Sequence, residues 1–83
     1  MNARFDAESI DLEDLREMLD ERCGPIVEGD IVGRTRLRDE VARHLACSVL
    51  EAERVVDTMV GRGFLRRAAV PDGRVGWSTR RAD

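Results

Sequence analysis

The stretch SVLEAERVVDTMVGRG, residues 48–63, carries a complete helix together with its start and stop signals. Ser48 and Glu51 have the spacing of a capping box, in which each side chain bonds a backbone amide that the first helical turn leaves free. Gly63 can adopt the conformation that ends a helix. The apolar residues between these signals recur at helical spacing and form one stripe: Ala52, Val55, Val56, Met59 and Val60. The stretch therefore predicts a helix with one buried and one exposed face.

The composition is that of one ordinary globular domain spanning residues 1–83. Of the 83 residues, 42% are hydrophobic and 37% charged, which is not the balance of a disordered chain. No apolar run approaches the roughly 20 residues that cross a bilayer. The amino terminus MNARFDAESI also lacks the basic and then apolar pattern of a secretory signal. We therefore expect a cytoplasmic protein that does not contact membranes.

Charge is distributed unevenly along the chain. Residues 1–30 hold ten acidic and three basic side chains, a net charge of -7, whereas residues 31–83 hold eleven basic and seven acidic ones, a net charge of +4. All 14 basic residues are arginine, whose planar guanidinium suits phosphates and base edges. This asymmetry indicates a nucleic-acid partner or an acidic one.

Two further helices are predicted before the opening stretch. The first spans about residues 9–23, with Ser9 or Asp11 as its cap and Gly24-Pro25 as its stop. Residues 25–34 are expected to form a loop with room for one short strand. Thr35 can then cap a second helix, whose apolar stripe is Leu37, Val41, Ala42 and Leu45. Only Ala46-Cys47 separates that helix from Ser48, so residues 35–62 are predicted to form a helix-turn-helix.

After the third helix, the apolar residues change from helical spacing to alternation with other residues. FLRRAAV, PDG and RVGWST, residues 64–79, predict a β-hairpin with Pro71, Asp72 and Gly73 at its turn. Val75 and Trp77 are expected to pack on the helices while the arginines of the hairpin face water. Helix, helix, tight turn, helix and hairpin is the order of a winged helix-turn-helix. The predicted fold class is therefore α+β, three helices plus a β-hairpin wing.

The stretch TRLRDEVARHLACSVLEAERVVDTMVGRGFLRRAAVPDGRVGWSTR resembles the core of MarR-type winged-helix transcriptional regulators. The resemblance covers about 47 of the 83 residues, Thr35 to Arg81. It implies that the third helix enters the major groove of double-stranded DNA, that the wing lies along the backbone or minor groove, and that two chains form a dimer. The long dimerisation helices of that family are missing, and an acidic helix around residues 11–22 stands in their place.

The resemblance places Leu50, Glu51, Glu53 and Arg54 on the base-facing part of the third helix, with Arg54 as the main base reader. The arginines of the second helix and the wing add positive charge, and those of the wing are expected on the DNA backbone or in the minor groove. The full set of expected DNA-binding residues is Arg36, Arg38, Leu50, Glu53, Arg54, Arg66, Arg67 and Arg74. Asp57 resembles an acid that the family often carries at this place. Leu50, Glu51 and Glu53 depart from the family pattern, which more usually has small hydroxyl or amide side chains there.

An acidic recognition helix leaves a second function open, a module that binds proteins and not DNA. Its partner would dock on Leu50, Glu53 and Asp57, or on the acidic first helix. Several charges also have purely structural explanations. Glu51 can serve only as the partner of Ser48, Asp57 can pair with Arg54 or Arg62, and the wing arginines can keep an exposed sheet edge soluble.

Nothing in the sequence predicts catalysis. Cys23 and Cys47 have no second cysteine or histidine at ligand spacing, so we expect two buried free thiols and no metal site. His44, the only histidine, is expected on the solvent side of its helix. Trp77 is expected in the core. There is no nucleophile pattern and no glycine-rich phosphate loop, so neither an enzyme nor a cofactor is predicted.

Overall fold

A computed structural model describes residues 10–70 and 73–80 as three helices and three strands. The elements follow the order α1 (Leu12–Cys23), β1 (Ile26–Glu28), α2 (Ile31–Leu45), α3 (Val49–Gly61), β2 (Arg66–Ala69) and β3 (Val75–Ser78). The strands form one antiparallel sheet in the order β1-β3-β2. This arrangement confirms the predicted α+β class and the layout of a winged helix-turn-helix.

The first helix begins and ends as its sequence predicts. Asp11 caps α1, because its Oδ1 accepts the backbone amides of Glu13 at 3.1 Å and Asp14 at 3.2 Å. The alternative cap, Ser9, lies outside the described residues. Gly24, with a φ of 89°, ends the helix and turns the chain into β1. The short strand expected between the first two helices is therefore present.

The second helix begins earlier than predicted, at Ile31, so Thr35 lies inside it and is not its cap. The sequence suggested otherwise because two β-branched residues and a glycine are poor helix formers. Packing outweighs that preference at Gly33. A Cβ at this position would lie 2.9 Å from the carbonyl oxygen of Glu28 and 3.2 Å from Trp77 Cδ1. Only glycine therefore lets the first turn of α2 lie this close to the sheet.

The turn between α2 and α3 is tight and has one unusual residue. Ala46 adopts a left-handed conformation, with φ 53° and ψ 43°, and the Cys47 amide donates to the carbonyl of Ala42. The predicted capping box then starts α3. The Glu51 amide donates to Ser48 Oγ at 3.0 Å, and Glu51 Oε1 accepts the Ser48 amide at 3.0 Å.

The sheet consists of the wing and one additional strand. We define the wing as residues 66–78, comprising β2, β3 and their connection; Pro71 and Asp72, predicted at the tip, lie outside the described residues. The prediction that Val75 packs on the helices is wrong, since its side chain is 43% exposed. The Gly29 amide bonds the Val75 carbonyl, and glycine offers no side chain to cover its neighbour.

The core lies between the three helices and one face of the sheet. The predicted apolar stripes of α2 and α3 contribute to it together with the leucines of α1, and Trp77 is buried as expected. The indole Nε1 donates to the Asp30 carbonyl at 2.8 Å. The main buried residues are Leu12, Leu15, Leu19, Val27, Leu37, Val41, Ala52, Val55, Val56, Met59, Leu65 and Trp77.

The end of β3 is attached to the end of α1 by polar contacts. Thr79 is fully buried, its amide donates to the Pro25 carbonyl, and its hydroxyl donates to the Gly24 carbonyl at 2.8 Å. Arg16, a buried arginine of α1, donates to the Thr79 carbonyl at 2.8 Å. A hydrogen bond to Glu13 raises the pKa of Arg16 above its ordinary value, which favours the charged form of the guanidinium in this link.

Candidate nucleic-acid interface

The exposed face of α3 carries the residues that would read DNA or meet a protein. Leu50 is 64% exposed and Arg54 also points to solvent. Glu51 forms the capping box with Ser48, as their spacing in the sequence predicted. Its carboxylate therefore serves the start of the helix.

The other two acids of α3 share a single partner on α2. Arg34 Nε bonds Glu53 Oε2 at 3.2 Å, and its Nη2 bonds Asp57 Oδ1. The prediction that Asp57 pairs with Arg54 or Arg62 is wrong. Because α2 begins at Ile31, residue 34 lies on a helix packed beside α3, and its guanidinium reaches both carboxylates. We call these three residues the Arg34 clamp.

Arg54 stands apart from the ion pairs of its neighbours. Within residues 10–70 and 73–80 it forms no salt bridge, whereas Glu53 and Asp57 on the same helix are paired. Its backbone carbonyl accepts the Thr58 hydroxyl, and its guanidinium has no hydrogen-bond partner among the described residues. The face therefore presents an apolar side chain and an unpaired cation one helical turn apart.

Arg36 and Arg38, predicted together at the start of the second helix, point in different directions. Arg36 lies near Cys23 at the end of α1, where its positive charge opposes the rise in the pKa of that thiol. Arg38 lies on the same side of α2 as Arg34 and pairs with Asp39 at 3.0 Å. Only Arg38 is therefore brought toward α3 and the wing.

The three wing arginines are exposed, and each has a contact within the described part of the chain. Arg67 pairs with Asp30 at 3.0 Å, and Arg74 pairs with Glu28 at 3.1 Å. Arg66 donates to the Arg80 carbonyl at 3.4 Å. Side chains of both ion pairs are largely exposed, and surface pairs of this kind contribute only about 0–1 kcal/mol. Such contacts can exchange for a phosphate.

A groove of about 340 Å³ opens between α2, α3 and the wing; we call it the α2–wing groove. The side chains of Arg34, Thr35 and Arg38 line it from α2, and Glu53 lines it from α3. Trp77 and Arg67 form its opposite wall, with Asp30 at one end. The guanidinium carbons of Arg34 and Arg67 lie 5.8 and 5.5 Å from the centroid of the Trp77 ring, within the range of a cation–π interaction.

Sequence reasoning missed Arg34, Asp30 and Thr35 as members of this site. It placed the first two in a loop and used Thr35 as a helix cap. The available signal was Asp30 itself, a good capping residue one position before Ile31. In the structure Asp30 does start α2, but its side chain makes no capping bond and instead pairs with Arg67.

The remaining polar candidates are placed as expected or show no site chemistry. His44 is exposed, and both cysteines are free, although they are only half-buried. Burial raises the pKa of the Cys23 and Cys47 thiols, which keeps them protonated near neutral pH. Among residues 10–70 and 73–80, no three His, Cys, Asp or Glu side chains gather where they could hold a metal ion. Within the same residues, no helix combines the length and apolarity needed to span a membrane.

Comparison with protein-family models, with curated proteins and with solved structures finds no match for this sequence.

Proposed function

We propose that the domain binds double-stranded DNA through α3 and the wing, as a small transcriptional regulator. The observation that carries this proposal is the Arg34 clamp. An acidic recognition helix is the main physical objection to DNA binding, because carboxylates near phosphates are repelled. Arg34 pairs with both Glu53 and Asp57 and offsets one of their two negative charges, and Glu51 is held in the capping box. Among the described residues of that face, Arg54 is then the charged side chain without an ion pair.

The chemistry of the exposed face suits a base-reading role. A guanidinium can donate two hydrogen bonds to guanine O6 and N7, the commonest specific contact in the major groove. An aliphatic side chain one turn away can contact a thymine methyl group. Arg54 and Leu50 supply these two groups, and Arg66, Arg67 and Arg74 supply cations for the backbone or the minor groove. A two-fold operator would be read by a homodimer.

A titration of random-sequence duplex DNA, followed by fluorescence anisotropy, tests the proposal. If the three wing arginines neutralise about three phosphates, the affinity falls about 40-fold between about 50 and about 200 mM salt. Replacing Arg66 and Arg67 together by alanine lowers the log–log salt slope by about 2. Arg22→Ala, which removes an exposed arginine from α1, is the matched control and leaves the slope unchanged. No binding of the unmodified protein at the lower salt concentration would overturn the proposal.

The alternative, a protein-binding module, is favoured by one observation. Val49 and Leu50, 53% and 64% exposed, stand side by side at the start of α3. Glu53 and Asp57, or the acidic α1, would supply the polar part of such an interface. Under this alternative, a partner pulled down by the unmodified protein is lost with Leu50→Asp and retained with Arg54→Ala. A partner retained by Leu50→Asp would exclude α3 as the docking surface.

A further inference from the structure

We propose that the α2–wing groove is a binding site for one phosphoryl group, held chiefly by Arg38 and Arg67. The inference rests on the proposed function for its choice of ligand, a phosphodiester of the DNA backbone. The groove itself is defined by the geometry of the free protein. Its floor and walls combine three guanidinium groups with the Thr35 hydroxyl.

The lining of the groove holds three arginines and two acids. Glu53 is paired with Arg34, and Asp30 is paired with Arg67, so the two acids of the lining each already have a cation. Arg38 is the third cation, and its partner Asp39 does not line the groove. The lining alone therefore carries one more cation than acids, while Asp39 and Asp57 pair with Arg38 and Arg34 from outside it. An anion that enters the groove would take the place of Asp39 at Arg38.

The geometry favours a phosphoryl group over a carboxylate. A carboxylate can be matched by one planar guanidinium, as the ion pairs around the groove already show. A phosphate presents several acceptor oxygens in different directions, so it can engage guanidinium groups from opposite walls. Arg38 on α2 and Arg67 on the wing provide these walls, and the Thr35 hydroxyl provides a neutral donor.

The existing ion pairs allow the exchange. The side chains of Arg67 and Asp30 are 64% and 46% exposed, so their pair is weak and can open toward an incoming anion. Asp39 is 56% exposed and adjacent in sequence to Arg38, with the same consequence. Arg34, 25% exposed, is about as enclosed as Arg38 at 26%, but it contacts two acids, so it stays in place and offsets the charge of Glu53 beside the ligand.

The fluorescence of Trp77 can report binding at this site. It is the only tryptophan of the chain, there is no tyrosine, and its ring lines the groove next to Arg67. An anion that draws Arg67 away from the ring should change the emission of Trp77. The experiment titrates the full chain with duplex DNA and, separately, with inorganic phosphate against chloride at matched ionic strength.

The diagnostic variant is Arg38→Gln, with Arg43→Gln as the matched control on the same helix. Arg43 is exposed and does not line the groove. We expect both ligands to shift the Trp77 emission of the unmodified protein and of Arg43→Gln. Arg38→Gln should weaken DNA binding about fivefold to tenfold and reduce the log–log salt slope by about 1. Thermal melts confirm that both variants fold.

The outcomes separate this inference from the proposed function. If DNA binds by anisotropy while Trp77 emission is unchanged and the two variants behave alike, the groove is not the phosphate site and DNA binding stands. If DNA does not bind at low salt, the proposed function fails. In that case a phosphate-induced emission change that Arg38→Gln abolishes assigns the groove to a free phosphoryl ligand, and no change rejects the site.

Discussion

Replacing Arg34 by methionine tests the Arg34 clamp directly. Methionine keeps a long apolar stem and removes the guanidinium from Glu53, Asp57 and the Trp77 ring. The side chains of Arg34, Glu53 and Asp57 are 25%, 38% and 66% exposed, so solvent screens both ion pairs. We assign about 0.5–1 kcal/mol to each pair and about 0.5–1 kcal/mol to the cation–π contact. The free energy of unfolding should therefore fall by about 1.5–3 kcal/mol.

Thermal and urea denaturation measure this loss. For a domain of this size, each kcal/mol lowers the melting temperature by roughly 4–8 °C, so Arg34→Met should melt at least about 6 °C lower. The decisive comparison repeats the change in a Glu53→Gln, Asp57→Asn background. In that background Arg34→Met removes only the contact with Trp77, so the loss in the free energy of unfolding should drop to about 0.5–1 kcal/mol. An equal cost in both backgrounds would show that the ion pairs contribute nothing.

The same cycle separates two roles of Arg34 in DNA binding. If Arg34 shields the acids of α3, Arg34→Met releases two carboxylates toward the DNA and weakens binding more than tenfold. Neutralising those acids in the Arg34→Met protein should then restore most of the affinity. If Arg34 instead contacts DNA itself, neutralising Glu53 and Asp57 will not rescue the loss, and the shielding argument is refuted.

Three further predictions concern the fold that positions the site. Gly76→Ala should lower the free energy of unfolding by about 3 kcal/mol or prevent folding, because the added Cβ would lie 2.5 Å from the Val27 carbonyl oxygen. Gly61→Ala is its control, since a Cβ added there has no neighbouring atom within 4 Å. In urea denaturation the control should be more stable by about 0.5–1 kcal/mol. Ala46→Gly should raise the melting temperature by a few degrees, since a left-handed alanine costs about 1–2 kcal/mol; an unchanged or lower value would argue against strain there. Ser48→Ala should cost about 1 kcal/mol in denaturant titrations, and a loss below a few tenths would show that the capping box contributes little.

Local signals in the sequence were sufficient for the helices whose ends depend on their own residues. Ser48 and Glu51 bond each other's backbone, so their spacing alone identifies the start of α3. Asp11 and Gly24 define α1 in the same way. The wing was also recognisable, because alternation and a turn signal are local patterns.

The parts that were missed depend on contacts between distant residues. The start of α2 is decided by Gly33 against the backbone of β1 and the ring of Trp77, which lies 44 positions later in the chain. Propensity alone assigns Ile31 and Val32 to an extended segment. With the start of α2 predicted at Thr35, Arg34 falls outside the predicted helix. The partner of Glu53 and Asp57 then cannot be identified from the sequence. Val75 is likewise exposed at the start of β3, where its neighbour across the sheet is Gly29, which has no side chain to cover it.

The position of β3 affects how the chain can assemble. It is the last strand in the described sequence and the central one in the sheet, with Val27 and Trp77 paired across a separation of 50 residues. Pairings between distant residues slow folding, because a long loop must close before the contact forms. On the ribosome, β1 and β2 would lack their common neighbour, and Arg16 its acceptor on Thr79, until residue 79 had left the exit tunnel. The domain should therefore acquire its native sheet only after residue 79 has emerged, and until then the apolar residues of its three helices would lack the sheet as a packing partner.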